Sequence, residues 1–128
     1  MVLDTSVLVA ILLAEDDRRT LLEKMRIAPR LLLSAGSLIE AGAVLMCHEA
    51  GDFEHRLDPF LERAGVQIVP VDYSQVVLAR DGYRRYGKGR HRAGLNLGDC
   101  FAYALAIRTG DALLFKGNDF GLTDVLIA

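Results

Sequence analysis

Short apolar runs alternate along this chain with longer stretches in which apolar residues recur every three or four positions. The short runs are rich in Leu and Val and predict buried strands at residues 1–3, 30–34, 66–71 and 112–115, with a further short run at 125–127. The periodic stretches predict helices at residues 6–14, 17–27, 37–50, 53–64, 73–86 and 96–109. Asp72 is expected to cap the fifth helix, and Gly65 to end the fourth.

Strands that are separated by helices predict an α/β fold, in which helices flank both faces of a parallel-stranded sheet. The chain has 128 residues, of which 52% are hydrophobic and 25% are charged, which is typical of a single folded domain spanning 1–128. Ligands of open α/β sheets bind at the carboxyl ends of the strands. Polar residues at strand ends and in the first turns of helices are therefore the candidates for function.

Four acidic residues occupy such positions. Asp4 follows the first strand and Asp119 follows the run 112–115, whereas Glu40 and Asp99 lie early in apolar helices. Neighbouring carboxylates raise one another's pKa and are costly to bury unless a cation neutralises them. Mg²⁺ and Mn²⁺ prefer oxygen ligands and, in phosphoryl-transfer sites, activate a water and stabilise the leaving oxygen. The four acids therefore predict a divalent-metal site that acts on a phosphate ester.

Each acid also has a purely structural interpretation. Glu40 follows Ser37 at the spacing of a capping box, and Asp99 could complement the dipole at the start of its helix. Asp119 could be a turn residue, and Asp4 could cap the first helix. A structural role explains any one of the four acids as well as a metal site does. It explains less well why all four acids occupy such positions.

Basic residues are concentrated between positions 84 and 92, although the net charge is −2. Four of them, Arg85, Lys88, Arg90 and Arg92, are candidate contacts for the phosphates of a nucleic acid. Glycines between them predict a flexible loop that leads into the Asp99 helix. A solvated loop without a binding role is an equally good interpretation of the charge alone.

The remaining composition favours a cytoplasmic protein without a membrane segment. The apolar stretch 7–14 is far too short to span a bilayer, and no secretory leader is visible. Cys47 and Cys100 lack a paired spacing and are expected to be reduced thiols in the core. The three histidines show no metal-binding spacing, which argues against zinc.

At the acidic positions the chain resembles the PIN-domain ribonucleases, and more narrowly the VapC toxins of bacterial and archaeal toxin–antitoxin pairs. The resemblance is carried by residues 2–6, Glu40, 95–104 and 114–120, and the segment 86–91 resembles one common VapC subgroup. It extends from Met1 to about Asp124. The match to the family is most specific in the segment around Asp99.

The resemblance implies a PIN-like α/β/α fold and a metal-dependent endoribonuclease. The four acids would hold Mg²⁺ or Mn²⁺, while Ser6 and Asn96 would orient them. Members of the family cleave RNA, often a transfer RNA or ribosomal RNA, by attack of metal-activated water on the phosphodiester. They are usually homodimers and are neutralised by a small antitoxin protein.

Two other functions also fit the sequence. One is a small-molecule phosphohydrolase or aspartyl-phosphate domain, in which Asp4 would be the nucleophile and Lys116 would assist. The acid that usually stands two residues after such a nucleophile is absent, because Ser6 occupies that position. The other is a non-catalytic RNA-binding module that keeps the fold without turnover.

Overall fold

A parallel sheet of four short strands lies at the centre of the protein, and the computed structural model describes all residues from 1 to 128. The strands are β1 Val2–Leu3, β2 Leu31–Ser34, β3 Val66–Val69 and β4 Leu113–Leu114. The helices are α1 Thr5–Leu12, α2 Arg18–Ile27, α3 Ala35–Met46, α4 Leu57–Ala64, α5 Tyr73–Tyr86 and α6 Leu97–Thr109. Short 3₁₀ turns cover Glu54–Arg56 and Phe120–Leu122.

The strand order is β3–β2–β1–β4, with every neighbouring pair parallel. Val2 of β1 is in register with Leu32 on one side and Leu113 on the other. The chain therefore builds the sheet outward from β1 through β2 to β3, and then crosses to the other side of β1 for β4. The boundary between β1 and β4 is the switch point at which open α/β sheets bind ligands.

Alternate strand residues face two separate hydrophobic cores. Leu3, Leu33 and Leu114 belong to a core built with α1, α2, α3 and α4, whereas Val2 and Leu113 belong to one built mainly with α6. Helix α5 packs on α6 and closes the second core. This alternation follows from the two-residue period of a strand. The predicted parallel sheet with helices on both faces is confirmed.

Two predicted helix starts are shifted toward the preceding strand. Helix α1 begins at Thr5 because the carboxylate of Asp4 accepts a hydrogen bond from the backbone N–H of Ser6, at 3.0 Å. Helix α3 begins directly after Ser34, which caps it, and not at Ser37. The alternative in which Ser37 and Glu40 form a capping box is therefore wrong.

The other predicted boundaries change only locally. The helix predicted at 53–64 consists of a 3₁₀ turn followed by α4, with Pro59 in the first turn of α4, where its missing N–H costs little. The run 125–127 adds only a single bridge between Leu113 and Ile127, so it is not a full strand. Cys47 was expected in the core but is exposed, because α3 ends just before it, whereas Cys100 is buried. No helix has the length and apolar character needed to cross a membrane.

Candidate active site

Asp4 stands where β1 ends and α1 begins, at the sheet's switch point. Its side chain is only 4% exposed, and its Oδ2 accepts hydrogen bonds from the N–H and the hydroxyl of Ser6, at 3.0 and 2.5 Å. The Ser6 hydroxyl in turn accepts a bond from the backbone N–H of Lys116 just after β4, at 3.0 Å. Ser6 thus joins the ends of the two adjacent strands and fixes the orientation of Asp4.

The second oxygen of Asp4, Oδ1, is buried without any hydrogen-bond partner. Burial raises the pKa of this carboxyl above its ordinary value, against the hydrogen bonds from Ser6 and Thr5, and the charge of Asp119 adds to the increase. An uncompensated buried carboxylate oxygen is costly. A cation bound at Oδ1 would remove that cost.

Asp99 lies in the first turn of α6 and forms a capping box with Asn96. The Asp99 carboxylate accepts from the N–H of Asn96 at 2.7 Å, while the Asn96 side chain accepts from the N–H of Asp99 at 2.9 Å. Burial raises the pKa of Asp99 to about 6, and the charges of Asp4, Glu40 and Asp119 add to the effect. Asp99 is therefore both a helix-capping residue and a member of an acidic cluster.

Glu40 joins three helices near the other acids. Its Oε2 accepts a hydrogen bond from the Thr5 hydroxyl at 2.8 Å, which links α3 to the start of α1. Its carboxylate also lies against the Cα of Gly98 in α6, where a Cβ would approach Oε1 to 2.1 Å. Glu40 is thus positioned by the close approach of these helices, and not by a cap on its own helix.

Asp119 reaches the same region from the segment after β4. It precedes the 3₁₀ turn Phe120–Leu122, and its exposed side chain makes no capping bond. Phe120 beside it is buried and packs against Phe115 with ring centroids 5.1 Å apart, which anchors the turn. The effects of Asp119 on the pKa values of Asp4 and Asp99 show that it lies within their electrostatic reach.

The four acids gather at one edge of the sheet, but no three of them are already arranged as a complete ligand set for one ion. One oxygen of Glu40 and one of Asp99 are occupied by hydrogen bonds within the protein. The unpartnered oxygen of Asp4 and the crowded negative charge nevertheless suit a hard divalent cation. Such an ion commonly takes one or two carboxylates together with waters and substrate phosphate oxygens.

The predicted basic contacts differ in their surroundings. Arg85 belongs to the last turn of α5, and its guanidinium donates to Asp124 at 2.8 Å and to the hydroxyl of Tyr86 at 2.6 Å. Lys88, Arg90 and Arg92 are exposed and form no ion pairs. Three of the four residues are therefore available to a ligand, whereas Arg85 is engaged within the protein.

Backbone hydrogen bonds join the two ends of the loop that follows α5. The N–H of Lys88 donates to the carbonyl of Leu95 at 2.9 Å, and the N–H of Leu95 donates to the carbonyl of Tyr86 at 3.0 Å. The loop is thus closed at its base, next to the start of α6.

Sequence reasoning missed the cluster that surrounds Arg85. The hydroxyl of the fully buried Tyr103 donates to Asp124 at 3.0 Å, and Asp124 also accepts from Arg85. The four-residue spacing of Asp99 and Tyr103 placed both on one side of α6, but nothing local identified Asp124 as the partner of Tyr103. The cluster ties the C-terminal segment to α5 and α6.

Lys116 also has partners that the sequence did not reveal. Its ammonium group forms ion pairs with Glu15 and with Asp17, on the segment between α1 and α2. An aspartyl-phosphate mechanism at Asp4 would need this lysine free to contact the phosphate. Its engagement elsewhere weighs against that alternative.

Comparison with known proteins matches the family expected from the sequence. The family model described as the PIN domain matches residues 1–126. A protein named Ribonuclease VapC from Mycolicibacterium smegmatis is 50% identical, over 98% of this chain and 97% of its own length. At this identity and coverage, the two proteins belong to one family.

Solved structures share the fold at low sequence identity. VapC20 from Mycobacterium tuberculosis, described as a Sarcin-Ricin loop cleaving toxin, has a TM-score of 0.79 and 15% identity, covering 99% of this chain and 97% of that one. A toxin–antitoxin complex from Klebsiella pneumoniae contains a chain with a TM-score of 0.72 and 16% identity, covering 99% and 95%. This chain belongs to the PIN-domain family and, within that family, to the VapC ribonucleases.

Proposed function

We propose that this protein is the endoribonuclease toxin of a toxin–antitoxin pair, and that it hydrolyses RNA with Mg²⁺ or Mn²⁺ held by Asp4, Glu40, Asp99 and Asp119. The observation that carries the metal site is the buried, unpartnered Oδ1 of Asp4, near Asp99, whose pKa is raised to about 6 by burial and further by the charges of the other acids. Crowded carboxylates with raised pKa values are typical of functional sites, where a bound ligand compensates their charge.

The residues around the cluster would fix the metal ligands. Ser6 holds Asp4 in one rotamer, the Thr5 hydroxyl orients Glu40, and the backbone of Asn96 orients Asp99. A bound divalent ion would supply an activated water and would stabilise the charge that develops on the phosphate. Because the supporting bonds occupy only one oxygen of each carboxylate, the other oxygens remain for the ion and its waters.

The substrate proposed is RNA, with transfer RNA or ribosomal RNA as the first candidates. Lys88, Arg90 and Arg92 carry exposed positive charges without acidic partners, close in sequence to the start of α6. Arginine and lysine contacts to phosphates supply most of the sequence-independent affinity for a nucleic acid. The name of the Mycolicibacterium smegmatis relative supports RNA cleavage, and the description of VapC20 makes ribosomal RNA a natural choice to test.

The proposed partners are a small antitoxin protein and a second copy of this chain. The Klebsiella pneumoniae neighbour is a toxin–antitoxin complex, which supports the first. Large apolar side chains on the surface, Ile39, Met46 and Val77, leave area that a partner could bury. An enzyme that cleaves cellular RNA and is inhibited by an antitoxin would act in the cytoplasm.

The direct test incubates the purified, partner-free protein with bulk transfer RNA and ribosomal RNA in Mn²⁺ and maps new RNA ends. Parallel reactions contain EDTA or the Asp99→Asn variant. We expect discrete cuts that disappear in both controls. Cuts that persist in EDTA would contradict metal dependence. If a protein shown to bind Mn²⁺ binds these RNAs without cutting them, the result would favour the non-catalytic RNA-binding module.

A further inference from the structure

Helices α5 and α6 enclose an open groove of about 500 Å³ at the start of α6. Its apolar surface includes Tyr83 from α5 and Leu97 and Phe101 from α6. Two of these side chains are accessible, since Leu97 is 70% exposed and Tyr83 is 38% exposed. The groove therefore presents an aromatic surface to solvent, and contiguous apolar surface of this kind is typical of a binding site.

Three arginines surround this apolar surface, and no acidic residue lines it. Arg80 and Arg90 form no ion pair, while Arg84 forms one exposed pair with Asp81 at 3.4 Å. Arg80 and Arg84 are four residues apart and so lie on the same face of α5. An apolar, aromatic floor with cationic edges is complementary to a nucleotide, which combines a flat aromatic base with an anionic phosphate.

The groove is connected to the acidic cluster through the first turn of α6. Leu97 lines the groove, Gly98 contacts the carboxylate of Glu40, and Asp99 belongs to the acidic cluster. Phe101, which also lines the groove, follows Gly98 by about one turn and packs over Gly36 of α3, so the groove borders the side of α6 that faces Glu40. A nucleotide in the groove would thus be next to a phosphodiester at the acids, on the same strand of RNA.

We propose that the α5–α6 groove binds one unpaired base of the RNA substrate, adjacent to the scissile phosphate. The base stacks on Tyr83 beside Leu97 and Phe101, and Arg80, Arg84 and Arg90 contact the flanking phosphates. The inference rests on the proposed ribonuclease function and specifies its substrate, since only an unpaired nucleotide can place its base in such a groove. It also assigns a role to Arg80 and Arg84, which are not among the four phosphate contacts predicted from the sequence.

The test compares binding of two labelled single strands in EDTA: an RNA of about ten nucleotides, and an abasic ribose-phosphate chain of the same length. We expect Tyr83→Ala to weaken binding of the RNA about tenfold and to leave binding of the abasic chain unchanged, because a stacked base is lost. Tyr83→Phe keeps the ring and should bind like the wild type. Tyr73→Ala is the matched control, since Tyr73 is a 76% exposed tyrosine of the same helix outside the groove.

The arginines are tested in the same assay. Arg80→Ala with Arg90→Ala should weaken binding of both strands and reduce the slope of log K against log salt by about 0.7 for each lost phosphate contact. Arg26→Ala, at an exposed arginine of α2 without an ion pair, is the control. Leu97→Ala is a second test of the groove, in case Tyr83→Ala unfolds. Leu97 is largely exposed, so shortening its side chain should cost little stability. This variant should bind RNA more weakly and bind the abasic chain as well as the wild type does.

Several results would overturn the inference. If the Tyr83→Ala and Tyr73→Ala variants bind RNA equally well, the groove holds no base. If Tyr83→Ala loses as much affinity for the abasic chain as for RNA, the groove is only a charged surface. A shift from dimer to monomer in Tyr83→Ala, with RNA binding unchanged, would assign the groove to a second copy of the chain. If wild type cleaves RNA and Tyr83→Ala cleaves it equally well, this inference fails while the proposed function stands. If wild type never cleaves but shows base-dependent binding, the proposed function fails while the base site stands.

Discussion

The carboxylate of Glu40 lies directly against the backbone of Gly98, so closely that a Cβ at residue 98 would come within 2.1 Å of Glu40 Oε1. Contacts of this kind are not made by real side chains, so any other residue at 98 forces Glu40 to move. The contact joins α3 to the first turn of α6, where Asp99 is located. Gly98 therefore serves to bring Glu40 close to the other acids, at the cost of a less favourable helix residue.

Gly98→Ala should reduce RNA cleavage and leave the stability of the fold almost unchanged. The clash is with the end of a flexible side chain, so the fold can adapt, and Ala is favoured over Gly in a helix by about 1 kcal/mol. We expect a melting temperature within a few degrees of wild type and RNA cleavage reduced by about 10²-fold, because the displaced carboxylate would leave its place in the proposed metal site.

The control for this variant is Gly42→Ala in α3, where a new Cβ has its nearest neighbour at 4.0 Å. It should raise the melting temperature slightly and leave cleavage unchanged. Full activity in Gly98→Ala would show that the position of Glu40 does not matter for the reaction.

Asp99→Asn should abolish most of the activity and preserve the fold. The amide oxygen of Asn can still accept the hydrogen bond from the backbone N–H of Asn96, so the helix cap remains, but the negative charge is lost. Cleavage should decrease by roughly 10²–10⁴-fold, whereas circular dichroism should not change. Asp58→Asn, which also changes an acid in the first turn of a helix, is the matched control and should retain activity.

In the metal-free protein, the contribution of Asp99 to stability should be lost as the pH rises from 3.8 to about 6. Burial, followed by the charges of its acidic neighbours, raises the pKa of Asp99 from 3.8 to about 6. The folded state then holds its proton more tightly than the unfolded state, so the stabilising contribution is complete below pH 3.8 and is lost as the pH approaches 6. The buried Asp4, whose pKa is also raised, contributes in the same direction.

This effect is measured as a difference between variants in EDTA. The melting temperature of Asp99→Asn should rise relative to wild type between pH 4 and pH 7, by about 3–6 °C after solvent screening of this half-buried group is considered. Asp16→Asn, at an exposed acid before α2, is the control and should show no such trend. Saturating Mn²⁺ should remove the difference by stabilising only the wild type. A constant difference across this pH range would contradict the crowding of charge around Asp99.

Arg85 and Arg90 should affect different properties although both belong to the basic run. Arg85 binds Asp124 and the hydroxyl of Tyr86, so Arg85→Ala should lower the free energy of unfolding and leave the salt dependence of RNA binding unchanged. Arg90→Ala should leave stability unchanged and make the salt dependence shallower by about 0.7. Chemical denaturation and binding titrations at several salt concentrations measure both. If Arg85→Ala instead made the salt dependence shallower and Arg90→Ala lowered stability, Arg85 would again be a candidate substrate contact.

The sequence identified the features that depend on residues close together along the chain. Asp4 and Asp99 could be found because a strand end and a helix start are recognised locally, and in an α/β sheet these positions meet at one edge. The parallel sheet with helices on both faces also follows from the order and spacing of the apolar runs, and the structure confirms it. The family resemblance rested on the same local segments, which the PIN-domain match covers.

Features that join distant parts of the chain were decided only by the tertiary structure. One interpretation of the sequence placed Ser37 and Glu40 together in a capping box, but Glu40 is held by Thr5 and Gly98, which lie 35 and 58 positions away from it along the chain. Likewise, Arg85 appeared to be free because its partner Asp124 lies far along the chain. Charge and periodicity show which residues can form a site. Which partners each one obtains depends on the packing of helices against the sheet, because hydrogen bonds and close contacts act over a few ångströms in space, whatever the separation in sequence.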